Sequence, residues 1–177
     1  MYAYEKTALS TYSQTEAFIK STRLAIKRGV RASYYSRKPA TQIAEDIIEL
    51  NLQLEEIEEF KNAIDESLFS LKPCYAYYLK TRYQIGDGKD VQVEKDAHYY
   101  RVVAYALGKF VAQMRSRGFT GEAFRKLFAS YPYLESAYNK ISDFETKVKS
   151  QGFLKIGEQV LKIKRFPTDL KRSIDRG

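Results

Sequence analysis

The chain has little of the residue types from which catalytic and metal centres are usually built. Its 177 residues include one cysteine, one histidine and no tryptophan. One cysteine forms no intramolecular disulfide, and one histidine with one cysteine excludes Cys/His-rich metal sites. Cys74, beside Pro73 in an aromatic stretch, is expected to be a small core residue. We therefore predict a protein that is not an enzyme, with no catalytic residue, no metal and no cofactor.

Motifs of common catalytic and nucleotide-binding sites are also missing. The chain contains no P-loop, no glycine-rich dinucleotide fingerprint and no nucleophile-elbow motif. No run approaches the roughly eighteen uninterrupted apolar residues of a transmembrane helix. The N-terminal MYAYEKTALSTYSQ lacks the basic-then-apolar layout of a signal peptide. We expect a cytoplasmic protein with no membrane partner and no small-molecule substrate.

Charge is abundant, and it is sorted along the chain. There are 30 Lys and Arg against 22 Asp and Glu, which gives a net charge of +8. Residues 41–71 hold nine acidic residues and one basic residue, so this segment carries −8 and the rest of the chain carries +16. Clustered Lys and Arg favour nucleic acid through counterion release, although an anionic membrane surface or an acidic protein would be attracted by the same charge.

The acidic segment also carries a heptad pattern. Apolar residues recur at steps of four and three, with Lys61 in the one missed position: Ile43, Ile47, Leu50, Leu54, Ile57, Ile64, Leu68 and Leu71. This spacing predicts a long helix that buries one stripe against another helix. We expect the first five of these residues, Ile43 to Ile57, to form an interface with a protein partner or with a second copy in a homodimer.

Helical patterns flank the acidic segment on both sides. Residues 10–32 predict a basic helix, and residues 74–82 predict a short helix rich in tyrosine. Asp96 has the position of an N-cap for a helix from Ala97 to about Arg117. The apolar stripe of that helix is expected at Tyr100, Ala104, Leu107, Val111 and Met114. Two shorter helices, at 121–130 and 133–149, are expected on either side of Pro132.

Two intervals have the pattern of a small β-hairpin. Residues 83–96 hold a Gly-Asp-Gly turn signal at Gly86–Gly88, although a loop or part of a helix-turn-helix also fits. Residues 152–166 alternate around Gly157 and Glu158, with a composition that also permits a helix. We predict a mainly α protein, a helical bundle around the long heptad helix with one or two hairpins. A single domain, 1–177, is expected, with sub-regions 1–118 and 119–177.

Basic and aromatic residues cluster between Tyr75 and Arg101. Those expected to bind nucleic acid are Lys80, Arg82, Lys89, Lys95, His98, Tyr99 and Arg101. The last three lie in the first turns of the helix that begins at Ala97, where a recognition helix presents side chains to base edges while Lys and Arg hold phosphates. In the alternative interpretation the tyrosines belong to the core and the cations only keep the surface soluble.

Two segments of this region resemble a known family. DESLFSLKPCYAYYLKTRYQ and KDAHYYRVVAYALGKFVAQM are similar to the C-terminal part of phage late-gene transcriptional activators of the ArpU and RinA type, over residues 64–116. The matching positions are Leu71, Pro73, Arg82, Tyr83, Tyr99, Tyr100, Arg101, Ala106, Leu107 and Phe110.

That family resembles the promoter-recognising C-terminal region of bacterial sigma factors. The resemblance implies a helix-turn-helix in which His98, Tyr99 and Arg101 face DNA. The family places a short helix before the YYR run, where this chain has the glycine-containing IGDGKDVQVEKD.

These patterns predict a regulatory protein of a phage or mobile element that binds nucleic acid. Duplex DNA is the expected ligand; binding of single strands or RNA through exposed tyrosines is a third, weaker alternative. The alternative is a protein–protein interaction module or a phage-type inhibitor. In that case the acidic helix pairs with a partner, and the basic flanks meet an acidic surface on it.

Overall fold

A computed structural model of the chain describes residues 2–33, 35, 37–88, 93–94 and 96–163, and it describes most side chains as far as residue 148. These residues form α1 (Ala3–Ser10), α2 (Tyr12–Ser33), α3 (Ala40–Phe69), α4 (Pro73–Tyr83), a 3₁₀ turn (Gly86–Gly88), α5 (Ala97–Ser116), α6 (Gly121–Ser130) and α7 (Pro132–Ile163). Within the described ranges there is no strand. The protein is therefore mainly α.

The chain divides into two compact units, Met1–Tyr138 and Asn139–Gly177. The first unit contains α1 to α6 and the beginning of α7, and the second contains the rest of α7. This division falls later in the chain than the expected sub-region boundary at 118–119. The expected single domain stays a prediction.

The start of α5 confirms the predicted cap. Asp96 accepts a hydrogen bond through its carboxylate from the Tyr99 backbone N–H at 2.7 Å, which satisfies one free donor of the first turn. The helix runs from Ala97 to Ser116, close to the predicted bounds. In contrast, α1 was not expected, because MYAYEKTALS has neither a capping residue nor a clear apolar stripe. Thr11 separates α1 from α2.

The interval between α4 and α5 does not begin as the predicted hairpin. Gln84 ends α4 in a left-handed conformation (φ 56°), and the Ile85 N–H donates to the Lys80 carbonyl at 2.9 Å. The 3₁₀ turn then lies directly on α4, since a Cβ added to Gly88 would be 2.3 Å from the Lys80 carbonyl carbon. Only glycine allows this approach. Of the second predicted strand, residues 89–92 and 95 lie outside the described residues, and Val93 and Glu94 have no regular secondary structure.

The second predicted hairpin is wrong for residues 152–163, which continue α7 to Ile163. The Lys, Leu, Glu and Gln residues of this stretch are good helix formers. A helix that is already running also needs no new nucleation, whereas a two-stranded hairpin is barely stable alone. Gly157 opposes the helix by only about 1 kcal/mol. Residues 164–166 lie outside the described part of the chain.

The stripe of α3 packs against α2 within the same chain. The two helices run antiparallel, because Tyr12 hydrogen-bonds to Asp65 at one end while Gly29 faces Ile47 near the other. The remaining members of the predicted interface, Ile43, Leu50 and Leu54, are half-buried, as is Ile47. Ile57 is completely buried in the core, so a role for Ile57 at a partner interface is wrong.

The far ends of α2 and α3 form a two-helix projection, which we call the arm: residues 20–33 and 40–58. Of its described side chains only Thr22 and Ile57 are buried, so the arm is held mainly by the contact between its own two helices. Every charged residue of the α2 part is basic, and every charged residue of the α3 part is acidic. The charge sorting of the sequence therefore becomes a pairing of one basic helix with one acidic helix.

Phe60 of α3 is at the centre of an aromatic core. Its ring centroid lies 5.7 Å from that of Phe119, 6.2 Å from Phe124 and 6.3 Å from Phe128. Tyr4 of α1 stacks on Phe124 from the other side at 5.5 Å. These contacts join α1, α3 and α6, because each ring removes a large apolar surface from water.

The buried faces of α4 and α5 differ from those predicted. Cys74 is exposed, whereas α4 buries Leu79 and Thr81. On α5 the predicted Leu107, Val111 and Met114 are buried, but Tyr100 and Ala104 are exposed, and Tyr99 and Val103 are buried in their place. Both corrections reflect the pairing of α4 with α5, which fixes the rotation of each helix.

Replacing Phe60 by alanine should destabilise the fold strongly. The substitution leaves a cavity among three rings, and we expect a loss of about 3–5 kcal/mol in the free energy of unfolding. Phe69→Ala is the matched control, since Phe69 on the same helix is 91% exposed; its effect should be below about 0.5 kcal/mol. Urea unfolding followed by circular dichroism measures both, and equal losses in the two variants would contradict this core.

Tyr12 makes the fold sensitive to high pH. Its hydroxyl donates to Asp65 at 2.5 Å, and Lys61 donates to the other Asp65 oxygen at 2.6 Å. Burial, followed by the hydrogen bond to Asp65, raises the pKa of Tyr12 to about 12. An unfolded tyrosine ionises near pKa ~10.

Between these pH values the folded state keeps a proton that the unfolded state has lost, so the free energy of unfolding should fall as pH rises from about 10 to 12. Tyr12→Phe should make this fall shallower, although the variant starts from a lower stability. Urea unfolding at several pH values measures the slope. Identical slopes in the two proteins would contradict the raised pKa.

Candidate nucleic-acid interface

The candidate site is the surface of the α4–α5 pair. The ring centroid of Tyr78 lies 5.6 Å from that of Tyr99, and Tyr75 lies 5.3 Å from Tyr105 in an edge-on contact. The two helices therefore run antiparallel, with the C-terminal end of α4 beside the N-terminal end of α5. This arrangement brings Arg82 next to the first turns of α5.

Both helices carry positive charge only. The basic residues are Lys80 and Arg82 on α4, and Arg101, Lys109 and Arg115 on α5. Neither helix contains Asp or Glu. Two acidic residues near their ends are engaged, since Asp87 pairs with Lys80 and Asp96 caps α5. Glu5 of α1 also approaches the pair, with its carboxylate 3.9 Å from Arg115. Arg82, Arg101 and Lys109 form no ion pair with a carboxylate of the described residues, so the surface around them attracts anions.

The structure describes most of the predicted site residues. Three of them are exposed around the end of the pair where α5 begins: Arg82, His98 and Arg101. Lys80 is half-buried and donates to Asp87 at 2.9 Å. This hydrogen bond lowers the pKa of Asp87 and engages the lysine with a carboxylate. Lys89 and Lys95 lie outside the described residues.

Tyr99 does not face solvent, so a contact between this side chain and DNA is wrong for this conformation. It is 2% exposed and its ring packs against Tyr78 and Tyr100. Burial raises the pKa of Tyr99, while the charge of Arg82 acts in the opposite direction. The Tyr99 hydroxyl has no hydrogen-bond partner among the described residues. Tyr99 therefore holds α5 against α4, and Tyr100 and Arg101 remain at the surface.

A row of alternating cationic and aromatic side chains follows the exposed side of α5. Arg101, Tyr105 and Lys109 occur at steps of four, so they lie on one face at successive turns. The Tyr105 ring is 53% exposed, and the Lys109 ammonium lies 5.3 Å from its centroid. Sequence reasoning missed Tyr105 and Lys109. They could have been predicted from their spacing, because residues four apart on the side of α5 opposite the buried stripe form one exposed face.

The connection between α4 and α5 is longer than the turn of a helix-turn-helix. It spans residues 84–96, whereas the motif uses about three or four residues. Over the described part of this connection the only helical element is the 3₁₀ turn Gly86–Gly88. The described residues of the connection contain no such short helix as the family resemblance implies, and α5 packs against α4.

Comparisons with known proteins leave the resemblance untested: no family model, no curated protein and no solved structure matches this chain. In the described part of the chain, no helix has the length and apolar character needed to span a bilayer. The same part contains no group of three or more His, Cys, Asp and Glu side chains that could hold a metal ion.

Removing the Tyr99 hydroxyl separates packing from ligand contact. Tyr99→Phe deletes a buried group without a partner, so stability should stay equal or rise by up to about 1 kcal/mol. Tyr99→Ala should lose about 3–5 kcal/mol, as other large aromatic truncations do. Thermal unfolding measures both variants, with binding to a labelled duplex measured on Tyr99→Phe. Weaker binding by Tyr99→Phe at unchanged stability would contradict a packing role.

Proposed function

We propose that the protein binds nucleic acid through the α4–α5 face and that it does so without catalysis. This face consists of Arg82, Arg101, Tyr105, Lys109 and Arg115. The observation that carries the proposal is a packed pair of helices without an acidic residue, on which Arg82, Arg101 and Lys109 are exposed and form no ion pair among the described residues, with the exposed Tyr105 between two of them. Phosphate groups are the anions that such a row neutralises repeatedly, with release of their counterions.

Duplex DNA is the ligand that we expect first. α5 has 20 residues, which corresponds to about 30 Å, and a helix of this kind fits the major groove. Three exposed residues on this side of α5 are small: Ala97, Ala104 and Ala112. Small side chains allow the helix backbone to approach a groove closely while Arg101 and Lys109 reach the phosphates on either side.

The proposed biological role is that of a regulator from a phage or mobile element, acting in the cytoplasm. This part rests on the resemblance of residues 64–116 to late-gene activators. Binding through α5 is compatible with that role even though α4 and α5 are not joined as a helix-turn-helix. The regulatory role requires sequence preference, which a face of phosphate-binding cations alone does not give.

A second candidate function is a protein–protein interaction module or inhibitor, and the arm is the observation that favours it. The acidic side of α3 offers Glu45, Glu49 and Glu55 to a basic partner. Pull-down at moderate salt with Glu49→Lys/Glu55→Lys as control would detect this function. If the wild type and the variant retain the same partner, the acidic side of the arm is not the interaction surface.

Charge reversal on α5 tests the main proposal. Arg101→Glu/Lys109→Glu should weaken binding to a random duplex by about tenfold or more and reduce the salt slope by about 2, because two phosphate contacts are lost. Fluorescence anisotropy over a series of salt concentrations measures both quantities.

Arg125→Glu on α6 is the control, since Arg125 is exposed and lies outside the α4–α5 face. A single-stranded oligonucleotide and an RNA of the same sequence are used as competitors. Equal binding by the double variant and the wild type would contradict the proposal. If a single strand competes more strongly than the duplex, the ligand is a single strand and not duplex DNA.

A further inference from the structure

We propose that two copies of the chain pair through one flank of the arm and form a four-helix bundle. The proposal concerns the arm alone, so it does not depend on nucleic-acid binding by the α4–α5 face. Its basis is that this flank is self-complementary: basic and apolar residues of α2 lie level with acidic and apolar residues of α3, which a second copy would present to them.

We call this surface the pairing flank. On α2 it consists of Lys20, Arg23, Lys27 and Val30, and on α3 of Ile48, Asn51, Glu55 and Glu58. Members of each set follow one another at steps of three and four, so each set forms one face of its helix. The two faces lie on the same flank, because Arg23 and Glu58 form an ion pair at 2.7 Å.

The opposite flank of the α2–α3 pair is already covered. There Phe18 of α2 packs edge-on against Tyr131 at 5.4 Å, and the Tyr131 hydroxyl donates to the Gln53 carbonyl of α3 at 2.9 Å. Phe60 enters the aromatic core from α3. The pairing flank has no such cover from the described residues of the first unit: Val30 is 44% exposed and Ile48 is 58% exposed.

Register makes the flank self-complementary. Tyr12 lies opposite Asp65, and Gly29 lies opposite Ile47 in the antiparallel pair. Val30 is therefore level with Ile48, and Lys20 and Arg23 are level with the Glu55–Glu58 turn. A twofold axis parallel to the arm places α2 of each copy on α3 of the other at the same level. Each Val30 then meets the other copy's Ile48, and four apolar side chains form one cluster.

The charges select this arrangement over the alternative. With the axis along the arm, Lys20 and Arg23 of each copy face the Glu55–Glu58 turn of the other copy, so the same contact forms twice. An axis across the arm would place α2 on α2 and oppose cations to cations. Lys20, Lys27 and Glu55 make no ion pair among the described residues, so they are available for this contact.

The contact should be weak and reversible. The arm contributes about four turns of each helix, and the buried area is on the order of 1,000 Å², at the lower end for specific interfaces. Exposed ion pairs add little and are screened by salt. The dimer should therefore form at roughly tens to hundreds of micromolar protein at low salt and dissociate as salt is raised.

Sedimentation velocity of the full chain over a range of concentrations tests the proposal, with nucleic acid absent. The apparent mass of the wild type should rise to that of a dimer and no further, because a twofold contact uses the pairing flank of both copies and leaves none for a third. Ile48→Asn should shift the midpoint by about tenfold. Phe69→Asn is the matched control: Phe69 is 91% exposed on the same helix but lies outside the arm, so the midpoint should not move.

Two charge variants provide a sharper test. Lys20→Glu/Lys27→Glu makes the α2 face acidic, and Asn51→Lys/Glu55→Lys makes the α3 face basic, so each variant alone should be monomeric. Mixed in equal amounts, they should form a heterodimer, since both helix contacts are then between opposite charges. Circular dichroism checks that the variants fold.

Several outcomes would overturn the proposal. The first is a wild type that stays monomeric at all concentrations and at low salt. The second is a dimer equally weakened by Ile48→Asn and Phe69→Asn, or by neither. The third is a mixture of the charge variants that remains monomeric.

Discussion

Burial of one side of α3 is the constraint on which the rest of the structure depends. Ile57, Phe60, Ile64 and Leu68 are all buried, and α3 contacts α2, α4 and α5. A carboxylate cannot be buried without a partner, so the acidic residues of α3 occupy the sides that these contacts leave free. The basic residues of α2 and of the α4–α5 pair are exposed for the same reason. Charge sorted along the sequence thus becomes charge sorted over the surface.

The heptad pattern of α3 could be predicted from the sequence, but its partner could not. Spacing at steps of four and three specifies a helix with one apolar stripe and does not name the helix that covers it. Either α2 or a helix of a second copy could cover this stripe. The short connection over residues 34–39 keeps α2 at a high effective concentration, so α2 covers the stripe around Ile47. Only residues outside this stripe are therefore exposed for a contact between two copies.

The bounds of α5 could be predicted because local chemistry decides them, as the Asp96 cap shows. Its buried face could be predicted only in part: Leu107, Val111 and Met114 are buried as expected, whereas at the N-terminal end apolar residues occur in the adjacent pair Tyr99–Tyr100. Two stripes displaced by one position fit the same sequence, and only the pairing with α4 chooses between them. This choice moves Tyr99 into the interior and leaves Tyr105 and Lys109 on the surface. The hairpin at 152–166 failed for a related reason, since alternation alone does not supply a sheet partner.

The central claim is that the α4–α5 face receives the nucleic acid, and a map of backbone amide shifts by NMR tests it most directly. Addition of a short duplex to the labelled protein should shift amides of residues 97–116 and of the end of α4 around Arg82. The basic side of α2, which carries Lys20, Lys27 and Arg31, should change little. Shifts concentrated on α2, with α5 unaffected, would contradict the account.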